Sequence, residues 1–431
     1  MNSITVAEAL EYILDHFAPL PPEPTGLLDA LGRVLAEDIA ADRDIPPFAN
    51  SAMDGYAVRA EDTRGASRSA PRSLHVTGSV AAGYVASRPV ASGETLRIMT
   101  GAPIPPGADA VIRFEDTSEG DALNSGAPHA GGWASDAGPS EASVLLYAEV
   151  RAGDNVRRAG EDVRHGQVVL RRGALLRPYE ISLLAAVGRA RVETHRRPRV
   201  AVLSTGDELV EIDAPVGPGQ IRNSNSYGLA AQVLAAGGVP LVLGIARDNL
   251  DELTARVDEG LEQGPDMFVT SAGVSVGDYD IVKDVLDHEG TMHFWQVRMK
   301  PGKPLAFGLI RGVPLLGLPG NPVASLVSME QFGRPAILRM LGHTRLARPV
   351  LMVRATEPIP NTSGREHYIR AVVTRDGDGA YIARSTGEQG SGILSSLTGA
   401  NAMLIVEETR TLVQPGETVR AIMLDWPEEV F

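Results

Sequence analysis

The chain has 431 residues, a formal net charge of −14 and no cysteine. This length exceeds what one hydrophobic core usually covers, so we expect roughly two to four domains. The missing cysteines exclude disulfides, thiolate metal sites and cysteine nucleophiles, and the negative charge argues against broad nucleic-acid binding. No apolar run reaches the ~18 residues of a membrane span, and the first residues lack the basic and apolar regions of a secretory signal. We therefore expect a cytoplasmic protein without a membrane contact.

The N-terminal third predicts two helices followed by a β-rich region. Thr5 and Glu8 form a capping-box pair ahead of apolar residues at helical spacing. A second short helix is predicted around Leu27 to Leu35. Proline and glycine punctuate the stretch from Ile45 to about Val150, which predicts short strands. Within it, residues 117–143 contain almost no large apolar side chain, and we interpret them as a surface insertion that cannot bury enough surface to become ordered.

From Arg199 onward, strands and helices are predicted to alternate. The predicted strands are 200–203, 241–246 and 267–270, and the predicted helices are 227–236, 250–263 and 281–287. This alternation indicates a parallel, doubly wound sheet, in which ligands bind beyond the carboxyl ends of the strands. After a helix through Met340, the segment from Pro349 predicts short strands separated by turns.

One strand-end turn, Ser271 to Gly277, is small and glycine-bearing and precedes a predicted helix. Such a loop lets backbone N–H groups approach a phosphate closely. An ordinary tight turn is the alternative, and it is the commoner explanation for a glycine loop on its own. The loop is neither a Walker A motif nor a dinucleotide-binding GxGxxG motif.

A second candidate is the loop Lys300-Pro301-Gly302-Lys303-Pro304. The chain has only three lysines and otherwise uses arginine, yet two of the three lie here. The prolines and the glycine restrict where both ammonium groups point. A compact ammonium suits sites that a flat guanidinium does not fit, so an anion site is favoured over a solvated turn.

Three carboxylates, Glu208, Asp248 and Asp280, each follow a different predicted strand. Carboxylates that converge beside an anion repel it unless a divalent cation lies between them, and hard oxygen ligands suit Mg²⁺. Helix N-capping is the alternative explanation for each residue taken singly.

Other residues suggest no further chemistry. The nine histidines lack metal-site spacing, which argues against zinc. The turn-rich segment from Pro46 to Ala57 is dense in polar side chains, but composition alone assigns it no role. Met53 and Tyr56 within it are interpreted as packing residues.

Seven segments, in this order, resemble the molybdopterin molybdenumtransferase family of the MoeA and gephyrin E-domain type. The resemblance runs from about Val6 to the C-terminus. The segments are Asn50-Ser51-Ala52-Met53-Asp54-Gly55-Tyr56-Ala57, Ile98-Met99-Thr100-Gly101-Ala102-Pro103, Arg157-Arg158-Ala159-Gly160-Glu161-Asp162, Ser204-Thr205-Gly206-Asp207-Glu208-Leu209, Gly273-Val274-Ser275-Val276-Gly277-Asp278-Tyr279-Asp280, Lys300-Pro301-Gly302-Lys303-Pro304 and Pro319-Gly320-Asn321-Pro322.

The resemblance implies an α/β multi-domain fold in an elongated homodimer. The expected parts are a doubly wound, MogA-like molybdopterin-binding domain, β-rich N-terminal domains and a C-terminal β-barrel-like domain. The expected boundaries are 1–50 with 151–180 for a discontinuous N-terminal helical and linker domain, 51–150 for an inserted β-rich domain, 181–345 for the molybdopterin-binding domain and 346–431 for the C-terminal domain.

The activity implied by the resemblance is the insertion of molybdate into adenylated molybdopterin, with Mg²⁺-dependent release of AMP. The residues implied to bind the pterin phosphate and the nucleotide are Ser271, Gly273, Ser275, Gly277, Pro304, Pro319, Gly320, Asn321 and Pro322. Asp248 and Asp280 would hold Mg²⁺. The residues implied to bind molybdate are Lys300, Lys303, Arg370 and Ser391. Asp54, Thr100, Asp162 and Glu208 would complete the site, with Asp54 and Thr100 reaching across the dimer.

Two other functions stay open. One is a molybdopterin adenylyltransferase that uses the strand-helix domain alone. The other is a catalytically impaired scaffold of the same fold, suggested by Gln296 and Ala324, which stand where many members carry lysine and serine. The expected partners are small-molecule substrates, a second copy of the chain and, transiently, the adenylyltransferase of the preceding step.

Overall fold

A computed structural model describes residues 2–124, 143–272 and 292–426. The chain divides into two compact units. The first comprises Met1–Glu37, Gly173–Arg177 and Arg191–Phe431, and the second comprises Asp38–Arg172 and Pro178–Ala190. Among the described residues, no helix is both long and apolar enough to traverse a lipid bilayer.

The described strands are numbered in chain order. They are β1 Asn2–Ile4, β2 Pro22–Gly26, β3 Ile39–Ala40, β4 Asn50–Ser51, β5 Gly55–Val58, β6 Ser67–Val80, β7 Glu94–Ile98, β8 Ala110–Arg113, β9 Ser143–Ala148, β10 Val156–Arg157, β11 Val168–Leu170, β12 Arg191–His195, β13 Arg199–Thr205, β14 Leu209–Val210, β15 Ile221–Arg222, β16 Val239–Ala246, β17 Met267–Ser271, β18 Met292–Val297, β19 Met299–Lys300, β20 Pro304–Ile310, β21 Val313–Leu318, β22 Val350–Ala355, β23 Ile359–Pro360, β24 Glu366–Arg375, β25 Tyr381–Ser385, β26 Ala402–Val406, β27 Leu412–Val413 and β28 Thr418–Met423.

The described α-helices are numbered in the same way. They are α1 Val6–Leu14, α2 Ser118–Asn124, α3 Pro178–Ala186, α4 Ser224–Ala235, α5 Leu250–Glu262, α6 Pro322–Ser328, α7 Arg334–Met340 and α8 Ser395–Thr398. A single π-helical turn at Met329–Gly333 joins α6 to α7. Short 3-10 helices lie at Ala60–Thr63 and Phe114–Asp116. The capping box predicted for α1 is confirmed, since the Thr5 side chain and the Glu8 side chain each accept from the other's backbone. The predicted helix at 281–287 lies outside the described residues.

The first unit contains a seven-stranded sheet in the order β1-β18-β20-β21-β17-β13-β16. Strands β21, β17, β13 and β16 pair in parallel, as the alternation of strands and helices predicted. Strand β20 runs antiparallel to both of its neighbours, so the sheet is mixed. The α/β fold class is confirmed.

Helices cover both faces of this sheet. On β13, Val200 and Val202 share a buried cluster with Leu229 of α4, whereas the intervening Ala201 and Leu203 share another with residues of α5. Successive side chains of a strand point to opposite faces, so α4 and α5 lie on opposite sides. Because both faces are covered, the run Val200 to Leu203 of β13 is apolar and all of it is buried, as expected of a parallel strand that has neighbours on both sides.

The C-terminal segment confirms the expected β-barrel. Strand β22 pairs with β25 and β28, β24 pairs with β25 and β26, and β26 pairs with β28, which closes a ring of five strands. Its interior is filled by small and branched apolar side chains, including Val353, Ile369, Ala371 and Leu404. Strand β19, which holds Lys300, adds to the outside of the ring by pairing with β24.

The second unit is built on a five-stranded sheet in the order β8-β5-β7-β6-β9. Its two faces carry separate buried clusters, one around Tyr56 and Ile112 and another around Ala57 and Ile98. The complete burial of Tyr56 agrees with its interpretation as a packing residue. The domain boundaries expected from the sequence stay a prediction.

The helix predicted over Leu27–Leu35 was wrong, because this segment forms turns. Leu28 and Leu31 are 83% and 52% exposed, whereas Ala30, Val34 and Leu35 are buried. The Gly32 N–H donates to Leu176 O, and Gly32 itself has a φ of +76°, which ends the turn. Pairing with a distant segment therefore overrode local helical propensity.

The start of the proposed insertion is ordered, contrary to the expectation for 117–143. Residues 118–124 form α2, Thr117 is fully buried, and Ser143 begins β9. The Thr117 hydroxyl donates to Phe114 O at 2.7 Å. Small and polar residues achieve this order because Gly120 packs against the backbone of the preceding turn, where a Cβ would lie 2.5 Å from Phe114 O. The remainder, 125–142, lies outside the described residues.

Candidate active site

A cleft of about 480 Å³ opens at the carboxyl ends of the parallel strands of the first unit. Its lining includes Glu208 in the turn after β13, Ser271 at the end of β17 and Pro304 at the start of the antiparallel strand β20, together with the whole turn Pro319-Gly320-Asn321-Pro322. All of these are residues that the sequence predicted for the site. The structure thus brings them together where an open α/β sheet places its ligands.

Asn225, which the sequence analysis missed, links two walls of this cleft. Its Nδ2 donates to Ser271 Oγ at 2.6 Å and to Gly320 O at 2.8 Å. It thereby fixes the end of β17 relative to the Pro-Gly turn. The available signal was the polar run Asn223-Ser224-Asn225-Ser226 at a helix start, which indicates capping but does not reveal these distant partners.

The N-terminus of α4 lies at the cleft. The Asn223 side chain caps the helix by accepting from Ser226 N at 3.2 Å, and the Ser226 and Ser204 hydroxyls are 2.8 Å apart. Asn223, Ser224 and the exposed Arg222 all line the cleft. A helix N-terminus carries a partial positive charge and free N–H groups, so this wall suits an anion.

Carboxylates gather beside the cleft. Burial raises the pKa of the Asp248 carboxyl above its ordinary value, and the nearby charges of Asp207 and Glu208 raise it further. Gly206 leaves room for Glu208, since a Cβ at Gly206 would lie 2.5 Å from the Glu208 carboxylate. Within residues 2–124, 143–272 and 292–426, no three acidic or histidine side chains form a group that could hold a metal ion.

The lysine loop reaches both the cleft and the barrel. Lys300 is half-buried, and in β19 it stands opposite His367 of β24. Lys303 is exposed, and its neighbour Pro304 lines the cleft. The loop therefore runs from the barrel wall to the cleft, with Lys300 and Lys303 at its two ends.

Arg370 is the largest fully buried side chain near this loop. Its Nε donates to Ser396 Oγ at 3.0 Å and its Nη2 donates to Gly390 O at 3.0 Å. Its Nη1 has no hydrogen-bond partner among the described residues. Burial lowers the pKa of this guanidinium to about 10, so it stays charged at neutral pH and carries one unused donor.

Ser391 joins Arg370 to the cleft. It follows Gly390, the acceptor for Arg370, and its own carbonyl accepts from Val323 N at 3.1 Å. Val323 is next to Pro322 in the wall of the cleft. Arg370, Ser391 and the Pro-Gly turn are thus connected through two hydrogen bonds.

In the second unit, the structure brings Asp54 and Thr100 together. Asp54 Oδ1 accepts from Thr100 N at 2.7 Å and from Thr100 Oγ1 at 2.8 Å. Both residues are exposed. Asp162 is also exposed, in a turn whose N–H donates to Ile45 O.

Gly55 of β5 lies unusually close to the neighbouring strand β8. A Cβ at Gly55 would lie 1.9 Å from Ile112 O on the neighbouring strand. Only glycine permits that approach. It places Asp54 at the strand end, where its carboxylate is exposed and bonded to Thr100.

Four of the predicted residues, Gly273, Ser275, Gly277 and Asp280, lie outside the described residues. Ser271 and Ala272, which precede them, line the cleft. The proposed phosphate loop and one of the two proposed magnesium ligands therefore stay predictions.

The fold and the cleft define a ligand-binding α/β domain in a chain that carries two further modules. Three family models match the chain. They are the MoeA N-terminal region, domains I and II, at residues 4–188, a probable molybdopterin binding domain at 201–339, and the MoeA C-terminal region, domain IV, at 352–424.

Similar proteins span nearly the whole chain. A molybdopterin molybdenumtransferase of Haemophilus influenzae is 36% identical over 96% of this chain and 97% of its own length. One from Bacillus subtilis is 35% identical over 99% and 97%. The crystal structure of the molybdopterin biosynthesis moea protein from Pyrococcus horikosii is 30% identical, with a TM-score of 0.79 over 99% of this chain and 100% of that one. The chain belongs to the molybdopterin molybdenumtransferase family.

Proposed function

We propose that the protein transfers molybdate to adenylated molybdopterin and releases AMP. Membership of the family supports this activity, since the relatives are named molybdopterin molybdenumtransferases. The cleft supports it too, because its volume of about 480 Å³ lies in the usual range for a small-molecule ligand. An adenylyltransferase that uses the strand-helix domain alone is not favoured, because family models match all three modules of the chain.

The observation that carries the proposal is the unused donor of Arg370. A buried guanidinium is costly unless its charge and donors find partners, and Nη1 has none among the described residues. An oxyanion at this position would satisfy it. We assign the molybdate to a pocket formed by Arg370, Lys300 and Ser391, with Lys303 at the edge of the cleft.

The cleft itself would hold the adenylated pterin. The α4 N-terminus and the turn at 319–322 offer N–H groups to phosphate, and Asn225 keeps Ser271 and Gly320 at a fixed separation. These residues bind and orient the substrate, so that its dithiolene lies near the molybdate. Glu208 supplies a carboxylate to the lining of the cleft.

The direct test is reconstitution of the reaction with purified protein. Adenylated molybdopterin, molybdate and Mg²⁺ are combined, and AMP release and cofactor formation are followed together. Both products should appear at equal rates. Transfer of AMP from ATP onto free molybdopterin would instead support an adenylyltransferase, and binding of AMP with Mg²⁺ without turnover would support the scaffold.

Asp248, with Asp280, would hold the Mg²⁺ ion. Burial and then the charges of Asp207 and Glu208 raise the pKa of Asp248, and a divalent cation would relieve the repulsion among these carboxylates. When bound, Mg²⁺ neutralises charge on the phosphoanhydride and its leaving phosphate. The carboxylates of the chain hold it there.

We expect Asp248→Asn to raise the Mg²⁺ concentration for half-maximal AMP release by about tenfold, since a charge-assisted interaction of ~1.5 kcal/mol is lost. Asp280→Asn should have the same effect. An exposed carboxylate on the helix that follows, Asp251, provides the control, and Asp251→Asn should leave the Mg²⁺ titration unchanged. A titration that Asp248→Asn does not alter would remove Asp248 from the metal site.

We expect Asn225→Ala to weaken AMP binding by up to about thirtyfold, because two hydrogen bonds worth ~1 kcal/mol each position the cleft walls. Isothermal titration with AMP measures the effect, and molybdate dependence should change little. The melting temperature serves as the control for folding. Unchanged AMP affinity in a folded variant would show that the walls keep their separation without Asn225.

We further propose a homodimer in which Asp54 and Thr100 serve the site of the partner protomer. The support is the resemblance of their segments to the family and the hydrogen bonds that join them. Mixing inactive Asp54→Asn and Lys300→Ala proteins should restore part of the activity, because a mixed dimer holds one intact site. A stable, active monomer in light scattering would contradict this. A cytoplasmic location and a transient contact with the adenylyltransferase belong to the same proposal.

A further inference from the structure

A second cleft, of about 210 Å³, lies in the first unit and shares no residue with the strand-end cleft. It is lined by Tyr12, His16, His293, Phe307 and the two residues after Phe307. Tyr12 and His16 lie at the C-terminal end of α1, and the others come from the paired strands β18 and β20. No part of the proposed reaction uses these residues.

The walls of this aromatic cleft are ring faces and edges. The Tyr12 ring centroid lies 5.0 Å from that of His16, 5.1 Å from that of His293 and 5.2 Å from that of Trp295. The His293 and Trp295 rings stack at 5.9 Å, and His16 meets Phe307 edge-on at 5.0 Å. Tyr12 is 36% exposed, His16 is exposed, and His293 and Trp295 are half-buried.

The tautomer of neutral His16 follows from its hydrogen bond. Its Nδ1 lies 2.9 Å from Tyr12 O, and a carbonyl oxygen can only accept. Nδ1 therefore carries the proton, and Nε2 of the neutral ring is left as an acceptor. The cleft thus combines π faces with an acceptor nitrogen and offers little to an anion.

The charge around the aromatic cleft favours a cation. A helix C-terminus carries partial negative charge, and α1 has no basic residue in its last turn. Two exposed carboxylates, Glu11 and Asp15, lie one residue before and three residues after Tyr12 in the chain. Arg339 donates to Phe17 O, beyond the helix end, so it does not occupy the last turn.

We propose that the aromatic cleft binds the side-chain guanidinium of an arginine presented by a partner protein. The volume of the cleft favours a single side chain over a whole small molecule. Pockets for small-molecule ligands usually have at least ~300 Å³, and this cleft is smaller. A guanidinium is flat and stacks on aromatic faces, which carry negative charge above the ring. Its N–H groups also suit the free Nε2 of His16.

The test uses a matched pair of probes on the full-length protein. N-acetylarginine methylamide is titrated while the fluorescence of Trp295 is followed, and N-acetylcitrulline methylamide provides a neutral probe of nearly the same shape. The arginine probe should give a saturable change. The citrulline probe should bind roughly five- to thirtyfold more weakly, which is the scale of a cation over an aromatic face.

Variants assign the binding to the cleft. Tyr12→Leu should weaken binding of the arginine probe by a similar factor, and Trp295→Phe should abolish the fluorescence change. His16→Phe keeps a ring and removes the acceptor, so it should weaken binding without removing packing. Tyr179→Leu, at an exposed tyrosine of the second unit, is the control and should change nothing.

Equal binding of the two probes, or unchanged binding in folded Tyr12→Leu and His16→Phe proteins, would overturn the proposal. Saturating arginine probe should leave molybdate insertion unaltered. The two proposals can therefore fail separately, because an inactive enzyme could still bind the probe and an active one could ignore it.

Discussion

Lys300→Ala is expected to weaken molybdate binding by roughly ten- to a hundredfold, while AMP affinity stays nearly unchanged. A charge-assisted hydrogen bond contributes roughly 1.5–3 kcal/mol, at about 1.4 kcal/mol per decade of affinity. Lys300 is half-buried at the wall of the barrel, away from the cleft lining. Removal of the Lys300 ammonium should therefore weaken the binding of the oxyanion more than the binding of the nucleotide.

Lys300→Arg should restore only part of the molybdate affinity. The charge returns, but a guanidinium is flat and bidentate, whereas an ammonium approaches a tetrahedral oxyanion as a compact charge. Arg370 already provides the guanidinium of the proposed site. Arg384→Ala removes an exposed charge from the adjacent strand β25 and is the control for net charge.

The measurement is insertion rate against molybdate concentration, with AMP affinity determined separately for each variant. Normal molybdate dependence in Lys300→Ala would show that the loop is a solvated turn. The oxyanion site would then be confined to Arg370 and Ser391.

The sequence predicted those helices and strands that are determined by residues close together in the chain. The capping box of Thr5 and Glu8 starts α1, and the apolar run at Val200 to Leu203 forms the buried part of strand β13. Three of the turns that follow strands, those after Thr205, Ser271 and Leu318, line one cleft because parallel strands end at the same edge of a sheet. These features need no knowledge of distant partners.

The features that the sequence did not reveal depend on such partners. Nothing near Asn225 predicts its bonds to Ser271 and Gly320, which are 46 and 95 residues away. The segment at Leu27 has helical propensity but pairs instead with a strand-like stretch near Leu176. Thr117 belongs to a stretch with few apolar residues. It is buried because it packs against the preceding turn, where its hydroxyl donates to Phe114 O.

The environment of His367 is another feature that the sequence does not predict. A histidine within a strand can be exposed or buried, and paired or unpaired. It is 3% exposed, and neither ring nitrogen has a partner among the described residues. Burial, reinforced by the charges of Lys300, Arg370 and Arg365, lowers its pKa from 6.5 to about 3. The imidazole is therefore neutral in the folded protein at neutral pH.

This shift makes the folded state sensitive to acid. In the unfolded chain His367 takes up a proton below pH 6.5, whereas in the folded chain it does so only near pH 3. The unfolded state binds more protons in that window, so stability is greatest above it and falls as the pH falls. Each pH unit within the window costs about 1.4 kcal/mol, which gives about 2 kcal/mol by pH ~5.

We expect His367→Leu to remove about 2 kcal/mol of the stability lost between pH ~7 and pH ~5. Denaturant unfolding of the full chain at both pH values measures it, with barrel unfolding followed by the fluorescence of Trp426, which packs against the barrel core. Some acid sensitivity should persist, because burial and the charge of Arg334 also lower the pKa of His343. His165→Leu, at an exposed histidine, should retain the full sensitivity. If His367→Leu loses as much stability in acid as the unaltered protein, the proton uptake on unfolding occurs at other groups, because this substitution leaves them in place while removing the buried imidazole.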